Sequence, residues 1–375
     1  MSKQVKRDKL FTLHNYDNCI VNLSNSILNN LGVLPVGKTL PLADELLEKN
    51  YKNIVILLLD GLGTSIMEGN LKEDGFLRTH FVDSISTVFP PTTVAATTSA
   101  MSGLQPIEHA WLGWDCYYPQ VDENVTVFLN VKQGTDKPVA DENISWKYCG
   151  YKSVVNRLVQ EGKEAYNVTP FVPPYPNSFK AICNQIANLC AKGGKKMIYS
   201  YWDEPDGVMH RFGCYSEEAK RITADLEKEI AEMCEKLEDT LLIVTADHGH
   251  IEGRNVSITD YPAIMECLVR MPSIEPRALN LFVREDKKLQ FEKEFEKEFG
   301  EDFVLLTKED IYRTKLFGTG KSHENVDGMI GDYVAVAISD LTVFNTVEEA
   351  GKFKGVHAGY TKEELLIPLI VIDTQ

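Results

Sequence analysis

Three short stretches carry residues that can hold metal. WDEPDGVMH places Asp206 and His210 four residues apart. ADHGH makes Asp247 and His248 neighbours. KGVHAGY sets His357 close to two glycines. A fourth, LLLDGLG, ends an apolar run in Asp60. Asp206 and His210 share one face if their turn is helical, and they can grip one ion with a third ligand from afar. Asp247 and His248 can converge in a turn that Gly249 lets bend, and with Asp60 they make a second three-ligand set. Three carboxylates and three histidines are the donor stock for two divalent ions of the zinc type. Three protein ligands with an open position is the catalytic pattern, whereas four is structural.

A nucleophile is also present. STVFPPTTVAATTSAMSGLQPIEHAW offers Thr92 and Thr93 just before a small, apolar run over Val94–Met101 that predicts a helix. A threonine at a helix N-terminus has backbone N–H groups and the helix dipole beside it, which suit a phosphoryl oxygen. Metal coordination lowers a hydroxyl pKa and activates it. Thr92 as the cap and Thr93 as the attacking group are compatible roles.

These residues need elements to position them. Ile54–Leu59 is continuous Ile, Val and Leu, the pattern of a strand covered on both faces. Met197–Tyr201 and Leu241–Thr245 are two more such strands. Between them Ser216 is set to cap a helix whose apolar face runs through Ile222, Leu226, Ile230, Met233 and Leu237. Helices between apolar strands imply a parallel sheet. Ligands of such sheets bind beyond the strands' carboxyl ends, where Asp60, Asp206 and Asp247 fall. From about Pro272 to Asp340 the pattern changes to a small α+β insertion, with strands over Leu279–Val283, Phe303–Leu306 and Tyr333–Ile338 and a charged helix over Lys287–Phe299. Val121–Asn143 reads as a polar flap with one strand, Val125–Val131. The expected fold class is thus α/β, a mostly parallel sheet flanked by helices, forming one catalytic domain over residues 1–375.

Composition narrows the partners. The 375 residues are 43% hydrophobic and 25% charged, with formal net charge −16. So acidic a chain is a poor binder of nucleic-acid polymers or anionic membranes. No stretch approaches the 18 or so apolar residues of a spanning helix. The first residues have charge but no apolar leader core. Eight scattered cysteines without a C-x-x-C pair fit a reducing compartment, so the expected location is cytoplasmic.

With these motifs in this order, the chain resembles the alkaline phosphatase superfamily and, more narrowly, the type I phosphodiesterase/nucleotide pyrophosphatase family. The likeness runs from about Asn53 to Tyr360. E-P-D-x-x-x-H followed by D-H-G is its specific part. The resemblance implies an alkaline-phosphatase-like core with a cap insertion, and Thr93, ten residues before Gly103, as nucleophile. It implies Asp206, His210 and His357 as ligands of one zinc, and Asp60, Asp247 and His248 as ligands of the other, with manganese as an alternative ion. His109 matches a histidine that is no ligand; His14, His80, His250 and His323 match nothing used.

Two departures concern the substrate. Val94 stands where the family usually has a base-stacking aromatic residue. Trp114 stands where it has a phosphate-binding asparagine, with Asp115 next; Trp114 can donate its indole N–H or offer a stacking face, while Asp115 repels a phosphate. The expected activity is hydrolysis of a small anionic phosphate ester, a phosphodiester or pyrophosphate, through a threonine phosphoryl-enzyme. Alternatives are a phosphomonoesterase or phosphonate hydrolase of the same superfamily. A remote one is a Rossmann-type dinucleotide binder, with Gly61-x-Gly63 as fingerprint and Asp83 as ribose acid.

Overall fold

The computed structural model describes residues 14–375; most of the stretch read for a leader lies outside them. Asn53–Leu59 is the central strand, and all seven of its side chains are buried. A six-stranded sheet is built around it in the order Phe81–Ser86, Leu366–Asp373, Thr240–Thr245, Asn53–Leu59, Lys196–Trp202, Glu164–Val168. The last four run parallel. Leu366–Asp373 is antiparallel to both of its neighbours. Leu59 pairs with Trp202, and Leu58 with Thr245. The loops that carry Asp60, Asp206 and Asp247 therefore leave the sheet at one level, and register alone brings three sequence-distant carboxylates together.

Helices cover both faces, as a wholly apolar parallel strand requires. Glu217–Cys234 begins at Ser216, whose hydroxyl accepts from the Ala219 N–H. Its buried side is Ala219, Thr223, Leu226, Ile230 and Met233. Thr223, rather than the expected Ile222, is buried because its hydroxyl is satisfied by the Ala219 carbonyl at 2.7 Å.

The second unit is larger than an insertion of residues 272–340. It is an antiparallel seven-stranded sheet in the order Phe303–Thr307, Tyr333–Ala337, Ala278–Leu281, Ser273–Glu275, Asp115–Tyr118, Glu123–Thr126, Val131–Lys132. The segment read as a flap thus joins this sheet. Its expected single strand is split in two, because Asn130 adopts φ 56°. The Asn130 side chain donates to the Ala140 and Glu142 carbonyls and accepts from Ile144 N–H, which fixes the turn. The helix Lys288–Phe299 buries Phe291, Phe295 and Phe299 at four-residue spacing.

Arg277 and Glu364 tie the second sheet to the end of the chain. Both side chains are fully buried. Arg277 donates from Nε and Nη2 to the two carboxylate oxygens at 2.7 and 2.9 Å, and to the Leu341 and Ser339 carbonyls. Glu364 also accepts from Gly359 N–H and the Thr361 hydroxyl. This pair therefore anchors the loop that carries His357. Among the described residues no helix is long and apolar enough to cross a membrane.

Candidate metal centre

Asp60 follows the central strand directly and is 3% exposed. The next residue, Gly61, turns at φ 75°, and its N–H donates to Asp247 Oδ1 at 3.0 Å. That carboxylate oxygen also accepts the His248 N–H, leaving Asp247 Oδ2 with no hydrogen bond. A side chain at Gly63 would collide with the backbone of Gly249, so the two ligand-bearing turns pack backbone to backbone. The glycines of LLLDGLG thus shape a carboxylate site, and Asp83 sits exposed on the strand Phe81–Ser86. Neither feature is arranged as a dinucleotide fingerprint requires.

His248 Nε2 lies 3.2 Å from Asp60 Oδ1 and 3.5 Å from Asp247 Oδ2. Thr93 opens the helix Thr93–Ser102. Its Oγ1 is 3.4 Å from Asp60 Oδ2 and 3.3 Å from His248 Nε2. Tyr201 donates its hydroxyl to the same Asp60 oxygen. Thr92 occupies the cap position but does not cap: its hydroxyl donates to Glu275 Oε1 at 2.6 Å. Glu275, a buried residue of the second sheet, accepts the hydroxyl hydrogen and so holds this side chain toward that sheet.

Asp206 heads the helix Asp206–Phe212, so the expected helical spacing to His210 is present. His210 Nε2 is 3.3 Å and His357 Nε2 3.8 Å from Asp206 Oδ1. The remaining ring nitrogens face carbonyls: His210 Nδ1 at Gly355, His357 Nδ1 at Pro91, His248 Nδ1 at Gly249. A carbonyl only accepts, so each Nδ1 carries a hydrogen and each Nε2 lone pair is free to ligate.

His250, set aside on sequence grounds, is in the centre. Its Nε2 is 2.6 Å from Asp206 Oδ1, its ring is fully buried and its Nδ1 has no partner. Donor atoms of Asp206, His248, His250 and His357 lie within 4.8 Å of one another, as do those of Asp60, Asp247 and His248. His248 has one free nitrogen and sits closer to Asp60, so it belongs with the second group. The first group then contains Asp206, His250 and His357, with His210 beside them. The signal for His250 was its place two residues after His248, in the same D-H-G-H turn.

The electrostatics call for cations. Burial raises Asp60 and Asp247 above the ordinary carboxylate range; next come the charge of Asp206 on Asp60 and of Asp60 on Asp247. At Asp206 burial also works upward, but His210 and His250 outweigh it and hold it well below that range. At His248 burial works downward, yet Asp247 and Asp60 outweigh it and raise the imidazole to about 10. A metal would take the place of that proton. Asp60 Oδ1 and Asp247 Oδ2 are buried without a hydrogen bond and so have lone pairs to offer a cation. The residues fit divalent ions.

His109 is buried between Ser99 Oγ and the Trp111 N–H, a structural place. Val94 is buried and offers no stacking face. Trp114 and Asp115 both line the cavity beside Thr93.

Solved structures with this architecture include an inactive variant of murine ectonucleotide pyrophosphatase/phosphodiesterase 5 in complex with AMP. It is 16% identical, with TM-score 0.63, over 84% of this chain and 87% of that one. The human ectonucleotide pyrophosphatase/phosphodiesterase 5 is 14% identical, with TM-score 0.64 and the same coverage. Phosphonoacetate hydrolase from Sinorhizobium meliloti 1021, in complex with phosphonoformate, is 15% identical, with TM-score 0.61, over 84% of this chain and 89% of that one. These likenesses give the fold alone. Among curated proteins none matches the chain by sequence. The family model for Type I phosphodiesterase / nucleotide pyrophosphatase matches residues 54–360, and the chain belongs to that family of hydrolases.

Proposed function

We propose that this hydrolase cleaves phosphodiester or pyrophosphate bonds through a phosphoryl group carried on Thr93. The observation that carries this reading is the position of Thr93 Oγ1, within 3.4 Å of Asp60 and 3.3 Å of His248 at a helix N-terminus. Asp60, Asp247 and His248 would hold one divalent ion, and Asp206, His210 and His357 the other, zinc in the first instance and manganese as an alternative. Bound there, such ions act as Lewis acids toward phosphoryl oxygens and lower the pKa of a nearby hydroxyl.

Thr93 Oγ forms a bond to phosphorus, its proton is lost, and the bond from phosphorus to the departing oxygen breaks in line. That oxygen takes up a proton and leaves as an alcohol or phosphate. Water then attacks phosphorus, the Oγ–P bond breaks, and Thr93 regains its proton. The net reaction is diester plus water to monoester plus alcohol, with two inversions giving retention. The first-turn N–H groups of the helix Thr93–Ser102 lack intrahelical acceptors and are placed to receive a phosphoryl oxygen. A cytoplasmic, reducing setting is part of the proposal, supported by eight unpaired cysteines.

Metal analysis with a substrate panel tests it. About two divalent ions per chain are expected, with bis-p-nitrophenyl phosphate turned over faster than p-nitrophenyl phosphate. A monoester preference would replace the diesterase reading while keeping the family. Phosphonoacetate belongs on the panel as the second reading, favoured by the fold shared with its hydrolase.

His250 gives a separate expectation. His250→Asn should weaken binding of one of the two ions by about 10- to 100-fold, the usual cost of losing a group that orients a metal ligand. Chelator titration followed by metal release would read this directly. Release of both ions at unchanged chelator concentration would show that His250 only fills space.

A further inference from the structure

A phosphoryl anion has to be received beside Thr93, and the cavity there is poor in groups that welcome one. No lysine or arginine lines it among the described residues. Apart from the metal-binding residues, its ionisable walls are three carboxyl side chains, Asp115, Glu275 and Glu349. Two of these are committed. Asp115 accepts the Thr126 hydroxyl on Oδ1 and the Gln133 amide on Oδ2. Glu349 Oε2 accepts the N–H and hydroxyl of Thr346 and so caps its own helix.

Glu275 is different. It ends the strand Ser273–Glu275 and is 8% exposed. The Thr92 hydroxyl and the Trp114 N–H both donate to its Oε1, at 2.6 and 2.8 Å. No described residue hydrogen-bonds to its Oε2, and the side chain lines the cavity. Thr92 is the chain neighbour of Thr93, so the carboxyl it holds stands at the edge of the reacting centre.

An ionised Glu275 would oppose the substrate, as a negative charge beside a phosphoryl group where water screens little. A protonated one carries no charge, and its Oε2 becomes an O–H donor. The surroundings favour the proton. Burial pushes the carboxyl up to about 7; the bonds from Thr92 and Trp114 pull it down, Asp115 adds to the rise and His248 opposes it. Glu349, Asp206, His210 and His357 are the other titratable groups of the same cavity. An arriving phosphate anion acts in the same direction as Asp115.

We propose that Glu275 works as a neutral carboxylic acid that donates from Oε2 to a non-bridging oxygen of the phosphoryl group at Thr93, which makes it a catalytic residue. The proton stays on Glu275 throughout. The proposal rests on the phosphodiesterase reading above.

The test measures binding of bis-p-nitrophenyl phosphate, whose charge is fixed over the range used, to metal-loaded Thr93→Ala protein at about pH 6 and about pH 9. Affinity should fall with rising pH as the donor becomes a like charge. Adding Glu275→Gln leaves a carbonyl for Thr92 and Trp114 and puts an amide N–H where Oε2 was. That variant should bind as tightly as its parent at the lower pH and about tenfold or more tightly than it at the higher, the range for a hydrogen bond to a charged group. The same pH dependence in both proteins would overturn the proposal. So would tighter binding by the Gln variant at the lower pH, which would mean that Glu275 is ionised there. If the Gln variant does not fold, infrared difference spectra of Thr93→Ala decide: the carbonyl band of a protonated carboxyl should be present and shift when the ester binds, and a missing or unmoved band would overturn the proposal. Turnover by the wild-type protein separates the two layers. The expected binding pattern without hydrolysis of any diester removes the diesterase reading and keeps the donor. Diester hydrolysis with no difference between the variants removes the donor alone. No binding of the ester to either variant, without turnover, removes both.

Discussion

Thr93→Ala lowers phosphodiester turnover on the order of 10³-fold or more, with metal content unchanged. The expectation follows from what the hydroxyl touches. It lies between Asp60 and His248 of one ligand set, and the carboxylates and imidazoles of both sets stand without it. Removing it takes away the attacking oxygen and leaves the donors in place. Thr93→Ser keeps an oxygen there and should retain most of the activity. Thr92 is the internal control. Its hydroxyl points to Glu275, not to the ligand groups, so Thr92→Val should cost about 1–3 kcal/mol of stability and far less turnover. Single-turnover kinetics with metal analysis of each variant decides the matter. A dead Thr92 variant beside an active Thr93→Ala would move the nucleophile by one residue.

The second large effect is on folding. Arg277→Met should destabilise the protein by about 3–5 kcal/mol, because it strands a buried carboxylate that has lost its charge partner. Glu364 has no exposure through which to recover solvation. Replacing both residues with methionine should return only part of the loss. Arg277 also satisfies the Leu341 and Ser339 carbonyls, and Glu364 accepts from Gly359 and Thr361. His357 is carried by the loop those bonds hold, so weaker metal binding should accompany the lower stability. Chemical denaturation of the metal-free protein measures the first effect and chelator titration the second. A loss below about 1 kcal/mol would mean that water reaches the pair and that its burial is not maintained.

Much of the core was legible because its signals are local. Seven consecutive buried residues over Asn53–Leu59 leave no polar face, which only a strand covered on both sides tolerates. The helix Glu217–Cys234 announced itself by its cap and its spacing. The second sheet was only partly legible. Ser273–Glu275 and Asp115–Tyr118 join through a single paired position, Ile274 with Asp115. Nothing in either short segment specifies a partner some 160 residues away, and the neighbouring stretch at 121–143 therefore read as a flap.

What the sequence determined by itself is the stock of chemistry and its order. Asp60, Asp206 and Asp247 follow apolar strands, His210 lies one helical turn after Asp206, and a threonine stands at a helix start. Strand ends and helix turns are short-range facts, and a parallel sheet turns them into one site through register. The tertiary structure decided the rest, because it depended on contacts between distant segments. It set His250 against Asp206, turned the Thr92 hydroxyl from its own helix to Glu275, and gave the late loop of His357 its anchor in Arg277. It also made the glycines of LLLDGLG the holders of a carboxylate: Gly61 N–H meets Asp247 only after two strands are paired, and no spacing along the chain encodes that meeting.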